Sequence, residues 1–188
     1  MLYHATQVKG IAVLEPRVSN HDRPLIYFSK KRENVLVYLS NAVEKYCRET
    51  GFSHAGKWTK WGPYGFTKDG ILYIQEYYPN ALEDTYKGVS GYIYGAEKVA
   101  DSGFELQIRD AVTTDKPTPV TYCEYVADAY EEILKAEREE KIQLLRYEKP
   151  SPERLEWMER MIRDEYGKAA DQPEYRHFLK GKFPEICG

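Results

Sequence analysis

Two short stretches decide the fold of this chain, LYHAT at residues 2–6 and LIYFS at residues 25–29. Side chains of a β-strand alternate between its two sides, so His4 and Thr6 should point to the same side of the first strand. The second stretch reads as an aromatic strand, and Tyr38 follows it in a helix-like segment. Together these residues predict one wall and the floor of a small cleft, suited to a flat polar ligand.

The rest of the chain alternates between strand-like and helix-like patterns, and glycine, proline and serine stand at the expected ends. Ser29 and Gly51 would begin and end a long helix, and Pro152 would open another. The fold class is therefore α+β, a mixed sheet core with flanking helices. Predicted strands span 2–6, 24–29, 71–77, 90–97, 104–108, 120–126 and 142–147, and predicted helices span 30–49, 80–86, 128–140, a segment opening at 151, and 173–180.

Length and charge set the class of protein. The 188 residues suffice for one domain over 1–148 with a helical C-terminal extension over 149–188 that packs on the same domain. With 42% hydrophobic and 30% charged residues, the chain is typical of a soluble globular protein. The net charge of -3 offers no overall attraction to nucleic acid, which is therefore not expected as a partner.

The cysteines and the apolar runs bear on metal binding and location. Cys47, Cys123 and Cys187 are odd in number and irregularly spaced, without a metal-ligand pair, so we expect no metal site. No apolar run approaches the roughly 18 residues that a membrane helix needs, and no secretory signal precedes the first strand. The expectation is a cytoplasmic protein without a membrane partner.

Four features of the sequence resemble the ADP-ribosyltransferase fold, in particular its poly(ADP-ribose) polymerase branch. HAT at residues 4–6 resembles the family's His-Gly-Thr/Ser strand, and IYF at residues 26–28 resembles its Ile-Tyr-Phe strand. Tyr38 follows Tyr27 by eleven positions, as the nicotinamide-stacking tyrosine of that branch does. CEYV at residues 123–126 resembles the Asn-Glu-Tyr-Ile strand that carries the catalytic glutamate.

The resemblance implies an ADP-ribosyltransferase-like core that uses NAD as its substrate, with a catalytic triad of His4, Tyr38 and Glu124. His4 would bind a ribose hydroxyl, and Tyr38 would stack on the nicotinamide ring. Glu124 would stabilise the positive charge that develops on the ribose carbon as nicotinamide leaves. The match covers the first forty residues and the few around Glu124.

The same resemblance suggests further contacts to NAD. Ala5 stands where the family has the glycine whose backbone binds the carboxamide, and Thr6 would support His4 or the ligand. Tyr27 would line the site. Arg32, at the start of the helix after the second strand, and Arg17, after the first strand, are candidates for the pyrophosphate, which the positive end of a helix dipole also favours.

Besides Ala5 in place of the family's glycine, a second difference from the family limits which reaction we expect. The polymerase branch has a serine eight positions after its Ile-Tyr-Phe tyrosine, and this chain has Val35 there. Polymer formation is therefore not expected. The sequence favours an NAD-dependent mono-ADP-ribosyltransferase or an NAD glycohydrolase-like protein, whose acceptor, a protein or a small molecule, the sequence leaves open.

Two alternatives remain. An RNA 2′-phosphotransferase-like enzyme shares the fold, but it relies on a second histidine on the strand occupied here by YFS at residues 27–29. A non-catalytic binding module on the same fold would need neither His4 nor Glu124 and would use an aromatic surface instead. The candidates for that surface are Trp58, Trp61, Tyr64, Tyr73, Tyr77 and Tyr78.

Overall fold

The computed structural model describes residues 1–18, 23–55, 59, 61–106, 108–148 and 151–188. Within them, the strands are β1 Leu2–Thr6, β2 Val13–Leu14, β3 Arg17–Val18, β4 Pro24–Ser29, β5 Tyr64–Phe66, β6 Leu72–Gln75, β7 Gly91–Ala96, β8 Ala111–Thr114, β9 Thr118–Pro119, β10 Tyr122–Val126 and β11 Ile142–Leu145. The helices are a 3₁₀ helix, Glu33–Tyr38, and α1 Ala42–Thr50, α2 Ala81–Tyr86, α3 Ala129–Arg138, α4 Pro152–Lys168, α5 Pro173–Lys182 and α6 Pro184–Cys187. The α+β class is confirmed.

The main sheet has the strand order β10-β7-β1-β4-β3, and β8 also pairs with β4. Each of these pairs is antiparallel, whereas the sequence predicts a mixed core. A three-stranded sheet has the order β11-β6-β5, and β2 pairs with β9. The hairpin of β5 and β6 turns at Gly70, whose φ of 74° favours glycine because side chains rarely adopt that backbone conformation.

The register of β1, β7 and β10 assigns their side chains to two faces. His4 pairs with Tyr94 of β7. Ala5 and Glu124, on the strands that flank β7, both pair with Ile93. Residues directly opposite in an antiparallel ladder share a face, and neighbours along a strand alternate. The sheet therefore has a histidine face, with His4 and Tyr94, and a glutamate face, with Ala5, Ile93 and Glu124.

The long helix predicted over 30–49 is wrong, because the chain forms a 3₁₀ helix and then α1. Leu39, with φ −88° and ψ 63°, leaves the helical region after the 3₁₀ helix, and its backbone amide donates a hydrogen bond to the Leu36 carbonyl at 3.0 Å. Asn41 then accepts the Lys45 amide at 2.8 Å and begins α1, which ends at Gly51 as predicted. Serine and asparagine favour helix ends over helix interiors, and residues 40 and 41 are a serine and an asparagine.

The strand predicted over 104–108 is also wrong for the described residues of that range, because β8 lies at Ala111–Thr114 instead. Gly103 and Asp110 both have positive φ, 70° and 67°, so the chain turns on either side of the range. The Phe104 carbonyl accepts a hydrogen bond from the Thr113 hydroxyl at 3.0 Å. A side chain thus satisfies a backbone group that a ladder would otherwise pair.

The chain divides into two compact units. The first comprises Met1–Leu39, Tyr64–Ile74 and Tyr86–Leu144, and it contains the main sheet, the 3₁₀ helix and α3. The second comprises Ser40–Pro63, Gln75–Thr85 and Leu145–Gly188, and it contains α1 and the three C-terminal helices. The division into a domain over 1–148 and an extension over 149–188 stays a prediction.

The second unit has its own aromatic core. Phe178 and Leu179 of α5 have no exposed surface, and the Trp61 ring lies 5.1 Å from the Phe178 ring. Ser151 caps α4 through the Arg154 amide at 3.4 Å, with Pro152 in the first turn as predicted. In the described residues, no helix is long and apolar enough to cross a membrane.

A half-buried ion pair joins α2 to α5 within this unit. Lys182 Nζ lies 2.7 Å from Asp84 Oδ2, and the Tyr78 hydroxyl donates to the same oxygen at 2.6 Å. The Lys182 ammonium also lies 5.0 Å from the centre of the Tyr46 ring. Burial by itself raises the pKa of Asp84, but the hydrogen bonds from Lys182 and Tyr78 outweigh it, so the net pKa lies below its ordinary value.

We expect Asp84→Asn to lower the free energy of unfolding by about 1–3 kcal/mol at neutral pH, because Lys182 loses its counter-ion. The folded-state pKa of Asp84 lies below the unfolded one, so this contribution is complete above the unfolded pKa and fades as pH falls through the folded pKa. The difference between wild type and variant should therefore be largest near neutrality and shrink below about pH 4. Urea unfolding at a series of pH values measures it.

The matched control is Asp164→Asn, because Asp164 pairs with Lys168 on the exposed surface of α4. Exposed pairs of this kind contribute little, so the control should change stability by less than about 0.5 kcal/mol. A difference at Asp84 that stays constant down to pH 2 would show that the charge of Asp84 is not what stabilises the contact.

Candidate functional site

Glu124 projects from β10, on the glutamate face of the main sheet, and three donated hydrogen bonds hold its carboxylate. Arg32 Nε donates to Oε2 at 3.0 Å, and Arg32 Nη2 donates to Oε1. The Tyr122 hydroxyl, two residues before Glu124 and on the same face, donates to Oε2 at 2.8 Å. The orientation of the carboxylate is therefore fixed by donors on both oxygens.

These contacts set the charge of the site. The hydrogen bond from Arg32 is the main cause that lowers the pKa of Glu124, with partial burial opposing it and the Tyr122 bond adding to it. Glu124 is therefore ionised at neutral pH. The Arg32 guanidinium stays charged as well, because the same hydrogen bond raises its pKa. An ionised carboxylate suits the stabilisation of a developing cation more than it suits proton donation.

Beside Glu124 a cleft of about 240 Å³ opens within the first unit. The start of the 3₁₀ helix, β10 and α3 form the walls of this cleft. The α3 helix is capped by Asp128, whose side chain accepts the Tyr130 amide at 2.9 Å. The volume is below the roughly 300–1,000 Å³ of most small-molecule sites. Its charged lining residues are Arg32, Glu33, Glu124, Glu132, Lys135, Glu139 and Lys141.

His4 lies on the opposite side of the sheet from Glu124. Its Nδ1 lies 2.9 Å from the Tyr27 carbonyl oxygen, and its ring lies 6.0 Å from the Phe28 ring. Burial is the main cause that lowers the pKa of His4, so the ring is neutral at physiological pH. A neutral ring that donates from Nδ1 keeps a lone pair on Nε2. By side-chain orientation, the sheet does not bring His4 and Glu124 together.

The His4 ring bonds the backbone of β4 at Tyr27, two residues before the position at which β4 pairs with β1. These strands pair at Tyr3 and Ser29, whereas β1 pairs with β7 along its whole length. Tyr27 follows the alternation of Ser29, so its side chain lies on the glutamate face, and Ala5 is buried on that face at 5% exposure.

The remaining predicted residues lie apart from the cleft lining. Tyr38 ends the 3₁₀ helix, where its hydroxyl accepts a hydrogen bond from Tyr64 at 3.4 Å. The Thr6 hydroxyl accepts the Val8 amide at 3.3 Å. Arg17 is exposed on β3. Of the eight predicted residues, Arg32 and Glu124 are in direct side-chain contact.

Sequence reasoning missed three partners of this pair. Glu132 of α3 accepts a hydrogen bond from Arg32 Nη2 at 3.0 Å, and Lys135 of the same helix lines the cleft. The third partner is Tyr122, whose hydroxyl donates to Glu124 Oε2. Glu132 and Lys135 are three residues apart on an amphipathic helix. In the sequence this spacing indicates only a charged helix face, as most exposed helices have.

The aromatic surface predicted for a binding module is wrong for two of its central residues. Trp61 and Tyr77 are 6% and 7% exposed and belong to the core of the second unit. Amphipathic aromatics fill half-buried positions well, and here they pack inward. Tyr64, Tyr73 and Tyr78 are half-buried, and Trp58 lies outside the described residues.

Comparison of the chain with models of known protein families, with curated proteins and with solved structures finds no match in any of the three. Within the part of the chain that the structure describes, no group of three or more histidine, cysteine or acidic residues is placed to hold a metal ion.

Proposed function

We propose that the chain is an ADP-ribosyltransferase-like protein that takes NAD as its substrate, either as a mono-ADP-ribosyltransferase or as an NAD glycohydrolase. The proposal rests on the resemblance of the sequence and on one observation. Glu124, the glutamate that the resemblance selects, is an ionised carboxylate held by Arg32 and Tyr122 at the edge of a polar cleft.

The reaction breaks the bond between the nicotinamide nitrogen and the ribose carbon. The electron pair of that bond leaves with nicotinamide, and positive charge develops on the ribose carbon, as in glycoside cleavage. An ionised carboxylate close to that carbon stabilises the charge. Water, or a hydroxyl or amine of an acceptor, then forms the new bond to the ribose carbon and loses its proton to the surrounding water. Glu124 supplies the negative charge that stabilises the ribose cation.

The size of the cleft limits what it can hold. About 240 Å³ is enough for a sugar ring and not for a whole dinucleotide, so we propose that the nicotinamide ribose occupies it. The proposed nicotinamide contacts are the Ala5 backbone and the Tyr27 side chain. The side chains of both residues lie on the same face of the sheet as Glu124. In this arrangement His4 supports the site by binding the Tyr27 carbonyl and does not contact the ribose from the side of Glu124.

The first experiment is incubation of the whole chain with NAD, with free nicotinamide and any ADP-ribosylated product measured by chromatography and mass spectrometry. Thermal unfolding in the presence of NAD is the second readout. At a concentration 100 times the dissociation constant, NAD should add about 2.7 kcal/mol to the free energy of unfolding. If the chain neither releases nicotinamide nor is stabilised by NAD, the proposal is contradicted.

A non-catalytic binding module is a second candidate, and the separation of His4 and Glu124 onto opposite faces favours it. Such a module has no need of a convergent triad. It predicts that NAD is not cleaved and that alanine at both positions leaves binding of the partner unchanged. The enzyme proposal predicts loss of nicotinamide release in the same double variant with its fold intact.

A further inference from the structure

Arg32 lies between two carboxylates from different elements of the first unit. It donates through Nε and Nη2 to Glu124 of β10, and through Nη2 to Glu132 of α3 at 3.0 Å. The side chains of all three residues are 28% exposed. The planar guanidinium group cannot turn without breaking several of these bonds at once.

The positions of Arg32 and Glu132 in the fold indicate how Glu124 is held. Arg32 precedes the 3₁₀ helix directly, and that helix contacts both β1 and α3. Glu132 lies in the first turn of α3, close to the Asp128 cap that fixes the start of this helix. Glu132 thus gives Arg32 an anchor outside the sheet, and Arg32 presents its fork to Glu124.

We propose that Arg32 is a positioning residue for Glu124, held in turn by Glu132, so that one guanidinium group fixes the carboxylate on which the reaction depends. The inference rests on the proposed function and assigns to Arg32 a role different from that of a pyrophosphate anchor. The Nε and Nη2 groups that form this fork already donate to the two carboxylates, so a phosphate bound by the same fork would release Glu124.

Other charged groups face the same cleft and bear on the titration of Glu124. They are Glu33 of the 3₁₀ helix, Lys135 of α3, Glu139 just after α3, and Lys141. Lys135 also lowers the pKa of Glu124, though less than Arg32 does. Removal of Arg32 alone should therefore move the titration of Glu124 upward without removing every positive charge around it.

The test uses Arg32→Gln, Arg32→Lys and Glu132→Gln in the whole chain, with Arg138→Gln as the matched control. Arg138 is an exposed arginine at the end of α3 that does not line the cleft. Two readouts are needed. One is kcat and KM for nicotinamide release, and the other is an NMR titration of the Glu124 side-chain carboxyl carbon, which requires no substrate.

We expect Arg32→Gln to lower kcat by roughly 10²-fold with KM changed by less than about threefold, because a misplaced carboxylate loses transition-state stabilisation more than binding. The titration midpoint of Glu124 should rise towards the ordinary glutamate value of about 4.3. Glu132→Gln should move both readouts in the same direction by less, and Arg32→Lys should restore the titration in part but not kcat, since lysine lacks the bidentate fork. Arg138→Gln should match wild type.

The outcomes separate this inference from the proposed function. A wild-type protein without nicotinamide release, together with a shifted titration in Arg32→Gln, contradicts the function and leaves the positioning of Glu124 standing. An unchanged titration in Arg32→Gln and Glu132→Gln overturns the positioning role, whatever the activity. Loss of affinity for NAD with kcat unchanged would also overturn it and make Arg32 a phosphate ligand. If Arg32→Gln does not fold, Arg32→Lys and Glu132→Gln decide by the same criteria.

Discussion

Glu124→Gln is expected to lower the rate of nicotinamide release from NAD by roughly 10²- to 10³-fold, the loss typical of removing one preorganised electrostatic contact. Glutamine keeps the shape of the side chain but carries no charge to place against the ribose carbon. It also leaves the Arg32 guanidinium without the carboxylate that neutralises it. The measurement is kcat for free nicotinamide, followed by chromatography.

Two controls make the result specific to the carboxylate. Glu131→Gln removes an exposed glutamate in the first turn of α3 that does not line the cleft, and it should leave kcat unchanged. Thermal unfolding of Glu124→Gln should show a single folded protein that NAD still stabilises. Turnover that survives the substitution would exclude Glu124 from the reaction, and the resemblance would then have selected the wrong residue.

Three strands that bear on the site were predictable because their positions depend on local patterns. The stretches at 2–6 and 24–29 became β1 and β4 with the same bounds, and the strand around Glu124 was placed within two residues of its observed start at Tyr122. Each of these segments carries its own alternation and its own turn signals. Gly51, with a φ of 69°, ends α1 for the same local reason.

The relation of His4 to Glu124 was not predictable from those patterns. Alternation shows which residues of one strand share a side, as Tyr122 and Glu124 do. It does not show how β1, β7 and β10 pair, and a shift of one residue exchanges the two faces. The pairing of Ala5 and Glu124 with the same Ile93 is a tertiary fact that decides the question.

Arg32 illustrates the same limit in its charge contacts. In the sequence it belongs to a basic run at the start of a supposed helix, which favours an anion such as pyrophosphate. In the structure its partners are Glu124 and Glu132, 92 and 100 positions away along the chain. No local signal couples positions so far apart, so the principal ion pair of the site followed only from the fold.

Leu179→Ala is expected to lower the free energy of unfolding by about 2–5 kcal/mol, because Leu179 has no exposed surface and lies in the core of the second unit. The loss combines the transfer of the removed methyl groups with a cavity that the surrounding aromatic rings fill only in part. Urea unfolding followed by far-ultraviolet circular dichroism measures it, and the slope against urea should stay the same if the unfolded state is unchanged.

Leu155→Ala provides the matched control, since it is the same substitution on a helix of the same unit. Leu155 of α4 is 44% exposed, so its truncation removes little buried surface, and alanine is also favoured in helices. We expect a change within about 0.5 kcal/mol. Because the two substitutions differ in burial and not in chemistry, equal losses would mean that the C-terminal helices do not form the core on which the stability of this unit depends.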